Sequence, residues 1–227
     1  MQRSNLTKDL EKVLLRFPKL QIEEMNKKTC LKGEIDIFDP QGTYWDSYNI
    51  KIAVPYGYPY AFPELFETTN KFPHIADRHA NPQGNCCLCS LQEEDITSQK
   101  GISIYGFIEK YVIPYLANQT YFDLTGSWAN GEYAHGYYGV LQYYQELLEI
   151  ENLQDVYELL TVLKKSNIQR NDNCYCGSER KIKHCHLKQY TTFKNISLKR
   201  LESDVRAIGS LIEIEQLKNI TQDQNAI

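Results

Sequence analysis

No apolar run in this 227-residue chain approaches the roughly 20 residues a membrane-crossing helix needs. The first residues, Met1-Gln-Arg-Ser-Asn-Leu-Thr-Lys-Asp9, lack the apolar core of a secretion signal. The expected compartment is therefore the cytoplasm, where seven cysteines read as thiols, catalysts or metal ligands before disulfides. No glycine-rich phosphate loop with its lysine is present, so no nucleotide site is expected. Internal repeats and low-complexity tracts are missing too, which sets aside repeat architectures. Tryptophan is scarce, at two residues, whereas tyrosine occurs 17 times and suits packed surfaces with polar tips.

Positive charge is short in most of the chain and concentrated near its end. Residues 1–163 carry 13 Lys/Arg against 22 Asp/Glu, and residues 164–206 carry 11 against 4. Such a basic segment is either a solvated face or a docking site for an acidic partner. Few aromatics accompany it (Tyr175, Tyr190, Phe193), so a base-stacking groove for nucleic acid is not expected.

The hydrophobic period assigns the elements. Leu6, Leu10, Val13, Leu14 and Phe17 share one face of a helix over 5–17, capped by Ser4 or Asn5 and stopped by Pro18. The period then becomes two: Leu31, Gly33, Ile35 and Ile37 alternate with Lys32, Glu34 and Asp36. Tyr44, Tyr48, Ile50, Ile52 and Val54 form a second such row. Asp39-Pro-Gln-Gly42 between them is turn chemistry and predicts a hairpin. Strands are expected at Leu20–Glu24 before it and Glu64–Thr69 after it, while the proline-rich 55–63 stretch is no central strand. Helices are expected over 104–116, with Pro114 kinking or ending the first, and over 136–149, 153–165 and 195–219. Leu198, Leu201, Val205, Ile208 and Ile212 line the last helix, a stripe that either docks on its own body or pairs with another chain. The fold class is α+β: an N-terminal helix, a four-stranded antiparallel meander and C-terminal helices. Its expected divisions are a body over 1–166, a knuckle over 167–190 and a terminal helix over 191–227.

Two cysteine groups carry the chemistry. The later one reads Cys174-Tyr-Cys176-Gly-Ser-Glu-Arg-Lys-Ile-Lys-His184-Cys185-His186. A C-x-C pair and a Cys-His pair supply four soft or borderline ligands for zinc, and Gly177-Ser178 supplies the turn that brings the pairs together. Arg180, Lys181 and Lys183 favour thiolates. So short a segment makes no core, and a metal staple is the physical reason for it to hold shape. The string resembles the zinc motif at the carboxy-terminus of the SecA translocation ATPase, which is appended to many bacterial proteins. That resemblance implies Cys174, Cys176, Cys185 and His186 as ligands of a structural Zn2+, with His184 the competing ligand.

The earlier group is Cys86-Cys87-Leu88-Cys89, preceded by Tyr58-Pro59-Tyr60-Ala-Phe-Pro63, Phe72-Pro-His74, His79-Ala-Asn81 and Gly84. Over residues 1–120 the helix, the meander, the Tyr-Pro turn, the His-x-Asn and the Gly-x-x-Cys-Leu resemble the ubiquitin-conjugating enzyme fold. The resemblance implies that Cys87 accepts a protein's C-terminal carboxyl as a thioester. It also implies that Asn81 supports the loop and the developing oxyanion, and that His79 is the family's loop histidine. The chain departs from that family in having His-Ala-Asn for His-Pro-Asn, and no tryptophan follows the cysteine directly. His74 is a second match for the histidine, and Asn85 an alternative to Asn81. The divergence resembles the bacterial branch of the family, several members of which sit in anti-phage signalling systems. The implied donor is a cGAS-like nucleotidyltransferase or a ubiquitin-like protein; without a nucleotide site in this chain, its activation needs a separate enzyme or a preactivated donor. His135, in Trp128-Ala-Asn-Gly-Glu-Tyr-Ala-His135, is either a general base or the start of a helix.

The same residues permit other readings. Cys86-x-x-Cys89 with His74 or His79 has the spacing of a second zinc site, and C-x-x-C is also a redox spacing. A redox site expects a helix immediately after the motif, and Ser90–Gln99 reads instead as acidic, polar coil. Buried, inert cysteines, or an adaptor that keeps the fold without catalysis, complete the alternatives.

Overall fold

The computed structural model describes residues 2–25, 28–129 and 131–224. The fold is α+β, and it divides into two compact units: Met1–Cys89 with Glu93–Glu132, and Ser90–Gln92 with Tyr133–Ile227. The division falls before the helices at 136–165, so these group with the knuckle instead of the sheet.

In the first unit, α1 (Gln2–Arg16) precedes β1 (Leu20–Met25), β2 (Lys28–Phe38), β3 (Tyr44–Ala53) and β4 (Glu64–Glu67). The strands lie in the order β1-β2-β3-β4, antiparallel throughout, with Leu20 opposite Gly33, Cys30 opposite Ala53 and Ile52 opposite Leu65. Asp39 closes the β2–β3 hairpin: its Oδ1 accepts the N–H groups of Gln41 and Thr43 at 2.9 and 2.8 Å. Leu31, Ile35, Ile37, Tyr48, Ile50, Ile52 and Leu65 are buried on one face against Leu10 and Val13 of α1 and Phe17 just after it. Tyr44 departs from the expected row. The register slips between Ile37 and Phe38, and beyond that bulge Tyr44 is exposed, packed edge-on against Phe38 at the hairpin tip. At the N-terminus the helix already runs through Ser4 and Asn5, so neither is its cap.

After the sheet come α2 (Leu91–Lys100), α3 (Ile104–Phe107), a π-helical turn (Ile108–Val112) and α4 (Ile113–Thr125). The sequence predicts a kink or stop at Pro114. Instead the helix runs on to Thr125, with Pro114 in the first turn of α4. The π turn immediately before it shifts bonding to i→i+5, with Ile113 N–H donating to Ile108 C=O, and so accommodates a residue that has no N–H to give. Ile104, Phe107, Ile108, Val112 and Leu116 complete the first core.

The second unit holds α5 (Gly136–Leu148), α6 (Leu153–Lys165), the knuckle, α7 (Leu187–Lys194) and α8 (Leu198–Gln224). Both α5 and α6 pack on α8. The buried row of α8 is Leu201, Asp204, Ile208 and Leu211, whereas Leu198 is exposed and Val205 and Ile212 are half-buried. The expected stripe is thus rotated, because a carboxylate takes a core position. Asp204 accepts hydrogen bonds from Tyr144 Oη (2.7 Å), Gln92 Nε2 (2.8 Å) and Arg200 Nε (2.8 Å), which satisfies its buried charge.

Candidate functional site: a pinned cysteine loop and a four-ligand knuckle

The first cysteine group is held at the open edge of the sheet. Glu67 N–H donates to Gly84 C=O (3.0 Å) and Cys86 N–H to Leu65 C=O (2.9 Å), so residues 84–86 cap β4. Gly84 sits at φ +80°, and a Cβ there would lie 2.5 Å from the Glu67 carbonyl oxygen and 3.0 Å from the His74 ring. Only glycine fits that approach. Beneath it, buried Glu67 and half-buried His74 pair through Oε2 and Nε2 at 3.0 Å. Burial opposes the Glu67 charge, but the Thr69 hydroxyl and N–H, the His74 ring and the Lys71 N–H outweigh it and hold its carboxyl below the usual value.

Cys87, Asn81 and His79 fall on one short loop. Cys87 N–H donates to His79 C=O at 2.7 Å. Asn81 Oδ1 accepts the N–H groups of Gln83 and Asn85, both at 3.1 Å, which shapes the turn leading to the cysteines. His79 adopts the left-handed conformation (φ +49°), and its ring packs edge-on to Trp128 at 5.5 Å. The alternative residue Asn85 donates its side-chain amide to Glu64 at 3.4 Å. His135 precedes α5 in the second unit and has extended backbone there.

Of the three clustered cysteines, Cys86 is buried, Cys89 is half-buried and Cys87 is exposed. Burial pushes the Cys86 thiol up to about 11 and raises Cys89 further, with Glu93 and Glu94 adding to it. Cys87 is raised as well, by the protein atoms around its sulfur and then by the Glu94 carboxylate. The polar stretch expected as coil after Cys89 is in fact α2, starting at Leu91. Glu93 and Glu94 in its first turn suit the positive end of a helix, and the residue it buries is Gln92, so the sequence carries no apolar stripe there. The redox reading thereby gains its helix. The thiols of Cys86 and Cys89 nevertheless sit high, against the lowered values of reactive C-x-x-C pairs. Nor does the second-metal reading gain a site: among the described residues Cys86 and Cys89 join no metal-sized group with His74 or His79.

The loop is pinned from behind by residues outside the sequence motifs. Arg78, itself buried, donates through Nε to Gln119 Oε1 (2.7 Å) and through Nη2 to Asp123 Oδ1 (2.8 Å). Its guanidinium lies 4.6 Å from the Phe122 ring centre and 5.9 Å from that of Trp128. In return Gln119 Nε2 and Tyr115 Oη donate to Arg78 C=O at 2.9 and 3.0 Å, and Tyr115 Oη also reaches His79 C=O at 3.2 Å. One helix face thus grips the backbone that receives the Cys87 N–H. A signal existed: Tyr115, Gln119 and Asp123 recur at intervals of four along the helix and so share one face.

The second cysteine group forms a knuckle. Cys174 N–H donates to Arg180 C=O (2.8 Å) and Ile182 N–H to Asp172 C=O (2.9 Å), with Gly177 at φ +73° in the turn and Ile182 fully buried. These bonds bring the ligand atoms of Cys174, Cys176, Cys185 and His186 within 4.8 Å of one another. Residues 170–188 match the SEC-C motif. No curated protein and no solved structure matches the chain. Within the SEC-C knuckle, His186 Nδ1 is 3.2 Å from both Cys174 Sγ and Cys185 Sγ, and Cys176 Sγ is 3.6 Å from Cys185 Sγ. A tetrahedral ion with bonds of about 2.1–2.3 Å needs ligand atoms about 3.5–3.8 Å apart, so the four groups fit a metal with little adjustment. His184 is exposed and outside the cluster.

The expected influence of basic side chains on the thiols is more local than the composition implied. Cys176 is held down at about 6, and the main cause is the hydroxyl of Ser178, 3.2 Å from its sulfur. Arg180 Nη2 lies 3.2 Å from Cys185 Sγ. Four protein ligands would leave no open position on a bound metal, the arrangement of a structural and not a catalytic site. No helix among the described residues is long and apolar enough to cross a membrane.

Proposed function

We propose that the chain is a cysteine-dependent conjugation protein of the ubiquitin-conjugating type, in which Cys87 carries the C-terminal carboxyl of a partner protein as a thioester. The observation that supports this best is the sorting of three adjacent thiols. Cys86 faces the core, Cys89 is half-covered, and Cys87 alone of the three is exposed, on a loop fastened to the sheet edge and to α4. In the proposed reaction the Cys87 thiolate attacks the activated donor carbonyl, displacing the activating group. An acceptor amine then attacks the thioester, an amide bond forms and the thiol leaves. Asn81 supports the loop with its side-chain oxygen, and its amide nitrogen is the donor this reading assigns to the oxyanion. His79 acts through the loop. The donor is a cGAS-like nucleotidyltransferase or a ubiquitin-like protein activated by a separate enzyme, and the setting is bacterial anti-phage defence.

The metal of the knuckle is Zn2+ in this reading, held by Cys174, Cys176, Cys185 and His186, and the knuckle recruits a partner. Intact mass after incubation with donor and activating enzyme tests the reaction. A protein-sized, thiol-labile adduct is expected for the parent chain, for Cys86→Ala and for Cys89→Ala, and not for Cys87→Ala. An adduct that survives in Cys87→Ala would sink the proposal.

A second reading, an adaptor of the same fold without catalysis, draws on the raised Cys87 thiol and the carboxylate beside it. Absence of any adduct with an active donor system favours it.

A further inference from the structure

The SEC-C match begins at residue 170, yet the ring of His186 is held from well outside it. His186 Nδ1 faces the sulfurs of Cys174 and Cys185 at 3.2 Å. Its other nitrogen, Nε2, points the opposite way and meets Glu149 Oε2 at 3.2 Å. The two ring nitrogens therefore have separate tasks. With Nδ1 turned to the thiolates as the ligand atom, the proton of the neutral imidazole resides on Nε2, where a carboxylate accepts it.

Glu149 is itself positioned. It ends α5 in the left-handed conformation (φ +58°), an uncommon backbone for a side chain of this size, and its N–H donates to Gln145 C=O. Gln189 Nε2, from the first turns of α7, donates to its other carboxylate oxygen at 2.8 Å. The Tyr175 ring packs against the His186 imidazole with centroids 5.2 Å apart. Three segments of one unit thus converge on a single ligand: the end of α5, the turn of the knuckle and the start of α7.

We infer that Glu149 is a positioning residue for the metal, an outer carboxylate that fixes the tautomer and orientation of His186 and ties α5 to the knuckle. Removing such an outer partner costs metal affinity by about 10–100-fold while leaving the ligand set intact. The inference rests on the metal-binding reading of the knuckle. Its consequence is that metal binding orders more than the short motif, because the bond His186–Glu149 carries it into the helical unit.

The test is a titration of the full-length, metal-free protein with Zn2+ against a chromophoric chelator, with Co2+ as the spectroscopic probe. Glu149→Ala is expected to weaken Zn2+ binding about 10–100-fold. It should keep the tetrahedral Co2+ spectrum and the melting temperature of the metal-free protein, while the rise in melting temperature on adding Zn2+ shrinks. Glu149→Gln, whose side-chain oxygen still accepts from Nε2–H, should recover part of the affinity. Glu151→Ala, two residues on, serves as the control and should match the parent. Unchanged affinity in Glu149→Ala would overturn the inference, as would an equal drop in the melting temperatures of the metal-free and Zn2+-loaded forms. Failure of the parent chain to bind Zn2+ or Co2+ at all would instead overturn the metal reading beneath it.

Discussion

At Cys87 the decisive quantity is the fraction of thiolate. Its thiol lies above the ordinary range because of partial burial and the Glu94 carboxylate, so at neutral pH the sulfur is mostly protonated. Alkylation of Cys87 by iodoacetamide, followed by peptide mass, should therefore keep accelerating as pH rises past the usual thiol value. Glu94→Gln should make it faster at neutral pH. Equal rates in the two proteins would show that the carboxylate does not act on the sulfur. Glu67 gives the opposite sign. Its folded-state value is lowered, so its contribution is complete above its unfolded value of about 4.3 and is lost as pH falls through the lower folded value. Glu67→Gln should cost about 1–3 kcal/mol at neutral pH and flatten the acid limb of stability below about pH 4, read by urea denaturation across pH. The four knuckle residues Cys174, Cys176, Cys185 and His186 were legible as residue types and spacings. Glu67 and Glu149 were not, since an isolated glutamate carries no pattern and only the fold brings a histidine to each.

Among the elements, α4 does the most to place the loop. Gln119 lies fully buried between the side chain and the carbonyl of Arg78. Gln119→Leu removes both bonds and leaves part of a buried guanidinium without a partner, at a cost of about 1–3 kcal/mol. Hydrogen exchange at residues 78–87 should rise with it, and unchanged exchange there would separate α4 from the loop. The terminal helix offers a check on the rotated stripe. Ile208 is fully buried and Leu198 exposed, so Ile208→Ala should cost about 2–5 kcal/mol while Leu198→Ala stays within about 0.5 kcal/mol, measured by chemical denaturation. The α1 face, the hairpin and α5–α6 followed from periodicity, because their apolar spacing matches the geometry of the element. Helix α2 did not, because a helix that buries only a glutamine shows no stripe, and the run past Pro114 did not, because a π turn leaves no local mark in composition.

Over the whole molecule, the knuckle and the sheet belong to different units, so their stabilities are expected to be separable. Chelation is expected to strip hydrogen-exchange protection from residues 172–190 and the end of α5, while amides of β2 and β3 stay protected. Uniform loss across both units would contradict this division. What the sequence by itself determined was the α+β class, the meander with its Asp39 turn and a four-ligand cluster over a short stretch. In each case the contacts are local, and residues near in sequence dictate the geometry. The tertiary structure alone decided which of three adjacent thiols faces solvent, how Asp204 takes a core position and which carboxylate meets His186. Those outcomes depend on burial and on partners from distant segments, and the free energy of a charge or a thiol is set by its neighbours in space.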